Sequence, residues 1–422
     1  MSVWLLLMAF FFPISIAASS LTFFPLIGLY LLAGVWTFRR WPPSWGRLET
    51  LFAIFWGLSI LSALQGGDPW HSRISLEKDL YFALVILLAA LLRERREETS
   101  RLLRAMVWGG LVTAAFGLLQ AALRVNHYDI WGQNVLIIPP ALASWPRVLT
   151  HHLALSTGRS TGFRSHPLTF AETLLFPLAY MLSLLTIPTP RSAWKWIGAA
   201  SVLILALMLS QSRGPWIAFA VMALTLLILE PRPWVIRRLG FLVLFPIALM
   251  IGIPGMRHRA ASIGDTGFLS NAERLIMWKA GSRMVHDHPA WGVGPGNVAL
   301  VSARYQTPEQ HAMFGDWGHL HNTYVHIAAE RGLLGLAALL SFLGYLGWTL
   351  GKALRKTTAE QINERVVLLT ALLGLVGWMV SGLTEAVYTD SSVLMVFYLV
   401  MGLALVKAQE PKDYPFVYSP MG

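Results

Sequence analysis

Cysteine is absent from all 422 residues, which excludes disulfides, thiol nucleophiles, iron–sulfur clusters and cysteine-bound zinc and leaves the redox compartment undetermined. Charge is also scarce. Only 13% of residues are charged against 55% hydrophobic, roughly half the charged share of an ordinary soluble domain, so water is not the main solvent of this chain. No Asp-x-Asp pair occurs anywhere, and divalent-cation chemistry on a sugar nucleotide therefore lacks its usual ligand pair. Gly292-Val-Gly-Pro-Gly296 has no preceding strand and no following Gly-Lys-Ser/Thr, which excludes a nucleotide loop and leaves a turn. No internal repeat or low-complexity tract is evident.

What the chain has in abundance is apolar runs. A helix needs about 20 mostly apolar residues to cross the hydrocarbon, and that gauge gives spans near 3–18, 21–38, 50–66, 79–93, 103–123, 168–187, 194–211, 214–230, 238–254, 332–350, 366–387 and 391–407. The expected fold is an all-α polytopic membrane protein of about twelve transmembrane helices. Met1 to Ser20 resembles a signal peptide but lacks a positive start and runs straight into the next apolar stretch, so it reads as the first membrane helix. The 18 tryptophans and 11 tyrosines suit two membrane interfaces. The net charge of +11 sits largely in short loops, which is the topological use of Lys and Arg and not a nucleic-acid surface.

Those cations set the expected orientation. Arg39, Arg40 and Arg47, then Arg93 to Arg104, then Arg191 and Lys195, then Arg232 to Arg238, then Lys352 to Arg365 fall in alternate loops, which become cytoplasmic together with both termini. The opposite, periplasmic side receives two long segments, about 124–167 and 255–331, which are expected to form a helical cap on a single integral membrane domain spanning 1–422. Within 255–331 the pattern gives helical pieces at about 271–287 and 321–331, joined by Trp291-Gly-Val-Gly-Pro-Gly-Asn297.

Arg213 lies in the short polar turn Leu209-Ser-Gln-Ser-Arg-Gly-Pro215 between two apolar spans. An ionisable group at that depth is costly and points to function, although a snorkelling interfacial arginine is the simpler alternative. Arg159 and Arg164 sit among Gly, Ser and Thr before a span, a setting in which planar guanidinium forks suit phosphate oxygens; surface solvation is the competing explanation for either. Arg274 heads an amphipathic helix, where an intrahelical ion pair is the alternative. His321 and Asn322 open a helix after Gly318. A histidine there lies beside unpaired backbone donors that attract phosphate, and an imidazole with an ordinary pKa of about 6.5 can take a proton from a hydroxyl. His319 and His326 read as structural. His286-Asp-His288 and His319-Leu-His321 lack the carboxylates a stable metal site needs, so no cofactor is expected.

The twelve-span layout, the long late extracytoplasmic loop, the Ser212-Arg213-Gly214 turn, the 291–297 connection and His-Asn followed after nine residues by Gly332-x-x-Gly335 together resemble the O-antigen ligase and O-antigen polymerase superfamily. The resemblance implies a bacterial inner-membrane glycosyltransferase with a periplasmic active site. It would transfer glycan from undecaprenyl diphosphate to an acceptor hydroxyl, without metal or nucleotide and with inversion. For a ligase the acceptor is a sugar of the lipid A core. The resemblance matches Arg213 and Arg274 to the family's catalytic arginines; joined to the residue chemistry above, it gives His321 as base and Arg159, Arg164 and Asn322 as expected substrate-binding residues. The alternatives are a polymerase using a second carrier-linked repeat, and a lipid-linked oligosaccharide transporter. Arg-Gly-Pro-Trp-Ile217 follows the family's arginine motif only loosely.

Overall fold

A computed structural model describes residues 2–36, 46–92, 95–123, 159–188, 190–358 and 360–408. Helices are the only regular elements among them, as a backbone in hydrocarbon requires when it must satisfy its own hydrogen bonds. The chain starts with α1 (Ser2–Phe11), α2 (Ile16–Trp36), α3 (Arg47–Gln65), α4 (Pro69–Asp79), α5 (Ala83–Leu92) and α6 (Glu98–Leu123). It continues with α7 (Pro167–Leu184), α8 (Pro190–Leu209), α9 (Arg213–Leu229) and α10 (Pro233–Gly252). The short α11 (Pro254–Ala261), the longer α12 (Leu269–Asp287), and the brief α13 (Val298–Val301) and α14 (Pro308–Phe314) precede α15 (Thr323–Lys356), α16 (Ile362–Ser381) and α17 (Ser391–Ala408).

Among the described residues seven helices are long and apolar enough to cross a bilayer: α3, α6, α7, α10, α15, α16 and α17. Shorter apolar helices occupy Ile16–Gly28, Ala193–Leu209 and Arg213–Leu229. Two of the about twelve expected runs are not full spans. The run 3–18 breaks near Pro13, and α1 keeps 10 residues, about 15 Å of helix against about 30 Å of hydrocarbon. The run 79–93 yields the 10-residue α5, because a 3₁₀ turn at Leu80–Phe82 separates it from α4. Most of the expected cap segment 124–167 lies outside the described residues.

Helices α7 and α17 form the centre of the bundle, with 78% and 83% of their apolar windows buried, whereas α10 is only 22% buried and presents its side chains outward. Helix α16 packs against both α7 and α9, α15 against α3, and α17 against α5. Trp378 of α16 and Phe397 of α17 close the centre with ring centroids 4.9 Å apart.

Helix α15 is kinked at Gly332, whose φ of 68° lies in the left-handed region. That division matches the boundary between the expected piece 321–331 and the span from 332. The 291–297 connection presses against the kink so closely that a Cβ on Gly332 would lie 2.0 Å from the Ala290 carbonyl oxygen. Carbonyls freed by the kink are taken up by this connection: Val293 N–H donates to Ala329 O and Gly294 N–H to Glu330 O, each at 2.9 Å. Below it Arg331 is fully buried, 3.4 Å from Asp79 and 3.6 Å from Glu330, and its Nε donates to Ser59 at 2.9 Å. Glu172 of α7 is buried as well and accepts from Ser381 at 3.1 Å. The apolar helices thus carry inward-facing ionisable groups that the hydropathy pattern hides.

Candidate active site

The polar turn between α8 and α9 is the foundation of the site. Gln211 adopts φ 53°, and Gly214 lies so near the 382–386 turn that a Cβ there would be 2.3 Å from Thr384 Oγ1. Arg213 opens α9, and both its terminal nitrogens are engaged. Nη1 donates to the Ser262 carbonyl at 2.7 Å and to Ser262 Oγ at 3.0 Å, and Nη2 donates to Ser270 Oγ at 2.8 Å and Asn271 Oδ1 at 2.6 Å. One buried guanidinium therefore fastens the segment between α11 and α12 over the bundle. Arg159 straddles the same turn, its Nε donating to Ser210 O at 2.9 Å and Nη2 to Ser212 Oγ at 3.3 Å. Arg259 of α11 donates Nε to Gln211 O at 3.1 Å, and its two terminal nitrogens make no hydrogen bond among the described residues.

His321 stands at the entrance to α15 with φ 44°, a left-handed conformation that costs a non-glycine residue free energy and persists only where its surroundings hold it. Trp278 of α12 donates its indole N–H to the His321 carbonyl at 3.3 Å. Glu385, in the turn between α16 and α17, brings Oε2 to 2.6 Å from His321 Nδ1, and its Oε1 accepts from Arg274 of α12. That turn is fixed to α15 by Thr323, whose N–H donates to Gly382 O at 2.8 Å and whose Oγ1 donates to Glu385 O at 2.9 Å. An ionised carboxylate can only accept, so Nδ1 carries a proton, and in the neutral ring Nε2 keeps its lone pair. The arrangement is an imidazole, a carboxylate bonded to its Nδ1 and a guanidinium that holds the carboxylate.

These groups share one open cavity of about 200 Å³, whose wall includes Arg159, Arg213, Arg259, Arg274, His166, Glu273 and His321. Burial, followed by Arg259, pushes the Arg159 pKa below the usual guanidinium range to about 10, which still leaves it charged at neutral pH. Burial, and next Arg274, also lowers Arg259. Four guanidinium groups against the carboxylates of Glu273 and Glu385 leave the space net positive, and an anion there offsets the remaining repulsion. Among the described residues no three His, Cys, Asp or Glu side chains gather as a metal site.

Of the residues singled out in the sequence, Arg159, Arg213, Arg274 and His321 meet at this cavity, and Arg164 and Asn322 are not on its wall. Arg164 is buried elsewhere, where Nη1 donates to Ser392 Oγ at 2.9 Å and Nη2 to the Phe12 carbonyl at 2.5 Å. It ties the break after α1 to the start of α17. Asn322 caps α15: its Oδ1 accepts from Tyr324 N–H at 2.9 Å and Val325 N–H at 3.0 Å, and its Nδ2 donates to Leu383 O at 2.8 Å. Four charged or titratable wall or partner residues are absent from the set that the sequence singles out: Glu385, Arg259, His166 and Glu273. The sequence did signal Glu385, a lone carboxylate inside the apolar run 366–387.

Fold and site together define a multi-helix membrane protein with an arginine-lined cavity built around a histidine–carboxylate pair. Residues 198–340 match the sequence model of a family described as O-antigen ligase, the family that the chain's motifs resemble. The matched stretch contains Arg213, Arg259, Arg274 and His321, and Arg159, His166 and Glu385 lie outside it. No curated protein matches the chain.

Proposed function

We propose that this protein transfers glycan from undecaprenyl diphosphate to a hydroxyl of a lipid A core sugar, at the periplasmic face of the bacterial inner membrane. The observation that carries the reading is the His321–Glu385–Arg274 relay opening into a cavity with four arginines on its wall. The side assignment rests on the Lys and Arg content of the short loops, which marks the other face as cytoplasmic.

The diphosphate sits against Arg159, Arg259 and the remaining donors of Arg274. Arg213 contributes its charge from the wall while holding α11 and α12 in place. His321 Nε2 takes the proton from the acceptor hydroxyl, whose oxygen attacks the anomeric carbon as the carbon–oxygen bond to the diphosphate breaks. The electron pair leaves with undecaprenyl diphosphate, and the growing negative charge meets guanidinium groups already in position. Preorganised donors of this kind contribute ~10²–10³ each in rate, and a positioned base about 10²–10⁴. Glu385 keeps the His321 tautomer that can accept and stabilises the imidazolium that forms. A single displacement of this kind inverts the anomeric centre and uses no nucleotide.

The test is transfer by purified protein in proteoliposomes, with undecaprenyl-diphosphate-linked glycan and lipid A core. Product from the wild type and none from a folded His321→Ala variant is expected. Chain growth from the carrier-linked glycan alone, with lipid A core ignored, would replace the ligase by a polymerase acting on the same donor.

A further inference from the structure

His166 has no part in the mechanism above, yet it lines the same cavity. It is the residue before Pro167, has extended backbone (φ −127°, ψ 135°) and caps α7, its Nδ1 accepting the Leu168 N–H at 3.2 Å. A backbone N–H can only donate, so Nδ1 must carry the lone pair, and the neutral ring holds its proton on Nε2. His166 keeps part of its surface open to the cavity, and partial desolvation at the wall, followed by the adjacent Arg159, lowers its pKa from the ordinary imidazole range and favours this neutral form. The two imidazoles on the wall therefore have opposite polarity. His321 gives Nδ1–H to Glu385 and presents a lone pair, whereas His166 has its Nδ1 lone pair occupied and presents Nε2–H.

Resting on the donor assigned above, we propose that His166 is a diphosphate-binding residue that donates its Nε2–H to a phosphate oxygen of the carrier. The cavity already concentrates positive charge from Arg159, Arg213, Arg259 and Arg274, so the ligand atoms it suits are acceptors. A neutral N–H adds a hydrogen bond there without adding a fifth like charge. The helix cap explains why the donor is a histidine: one ring nitrogen ends α7 while the other, on the far edge of the ring, makes no hydrogen bond among the described residues and is left to donate.

The test uses the full chain in proteoliposomes and reads two quantities, kcat/KM for the carrier-linked glycan and the inhibition constant of undecaprenyl diphosphate. In His166→Ser the hydroxyl still caps α7, so the unfolding midpoint stays near that of the wild type, but no donor reaches the ligand. Losing one hydrogen bond to a charged oxygen is expected to weaken both quantities by about 10- to 100-fold. His166→Asn, with a capping oxygen and an N–H of its own, is expected to recover part of the loss. Wild-type values in both variants would overturn the proposal and leave the glycosyltransferase reading standing. A wild type that neither transfers glycan nor binds undecaprenyl diphosphate would overturn that reading, and the His166 proposal with it.

Discussion

Replacing Glu385 by Gln keeps the shape of the side chain and removes its charge. In the wild type Oε2 lies 2.6 Å from His321 Nδ1, a short contact of the kind that a carboxylate acceptor makes. A Gln amide can turn its NH₂ toward Nδ1, which then accepts and moves the ring proton to Nε2. The base is thereby converted into a donor at the atom that must receive the acceptor's proton. Where a buried carboxylate orients a catalytic imidazole, this kind of change removes rate on the scale of ~10⁴. A loss of about 10²–10⁴, the worth of a positioned base, is therefore expected in kcat. The arginines stay in place, apart from Arg274 losing its carboxylate, so the KM for the donor should change far less than kcat. Single-turnover transfer at saturating donor measures the chemical step directly. A Glu385→Gln enzyme that folds and retains kcat within about threefold of the wild type would refute the role given to the His321–Glu385 pair.

Other residues give separable outcomes. Arg259→Ala removes two terminal nitrogens that make no hydrogen bond among the described residues, together with one Nε bond to Gln211 O and a stacking contact on Phe268, so the donor KM should rise about 10-fold with only a small fall in the unfolding midpoint; an unchanged KM would remove Arg259 from the diphosphate site. Arg213→Ala deletes four hydrogen bonds from one buried group, and limited proteolysis should then cut within 262–271 as activity falls. An uncut variant would mean that the segment is held by other contacts. Gly332→Ala places a Cβ 2.0 Å from the Ala290 carbonyl oxygen at φ 68°, and the left-handed backbone alone costs about 1–3 kcal/mol. Folded yield and unfolding midpoint should both drop, and a midpoint equal to the wild type would contradict the close packing at the kink.

The helices that the sequence reveals best are those whose apolar run is unbroken. Residues 50–66 point directly to α3 (Arg47–Gln65) and 391–407 to α17 (Ser391–Ala408). Pro13 and Asp79 defeat the same gauge, because hydropathy averaged over a window does not register one residue that breaks a helix or one carboxylate held by Arg331. At the site, Arg213, Arg274, Arg159 and His321 are legible because charge is scarce and their neighbours are small or apolar. Glu385 stands out only as a lone carboxylate within a run counted as membrane, and its pairing with His321 spans 64 positions that no local pattern links. Arg164 and Asn322 show the converse. Their residue types and neighbours suit phosphate, but folding commits one to the carbonyl of Phe12 and the other to the first turn of α15. Backbone satisfaction claims polar side chains before a ligand can, and a sequence shows only the side chain.

The central claim is that one cavity moves a glycan from a diphosphate carrier to a sugar hydroxyl using only its own histidine, carboxylate and arginines. Its most direct test is transfer by the purified wild-type chain to lipid A core, with EDTA present and no nucleotide added, following both the lengthened product and released undecaprenyl diphosphate. The account predicts equal amounts of the two products, together with loss of both in His321→Ala. Release of undecaprenyl diphosphate without glycan on the acceptor, or product formation that persists in His321→Ala, would contradict it.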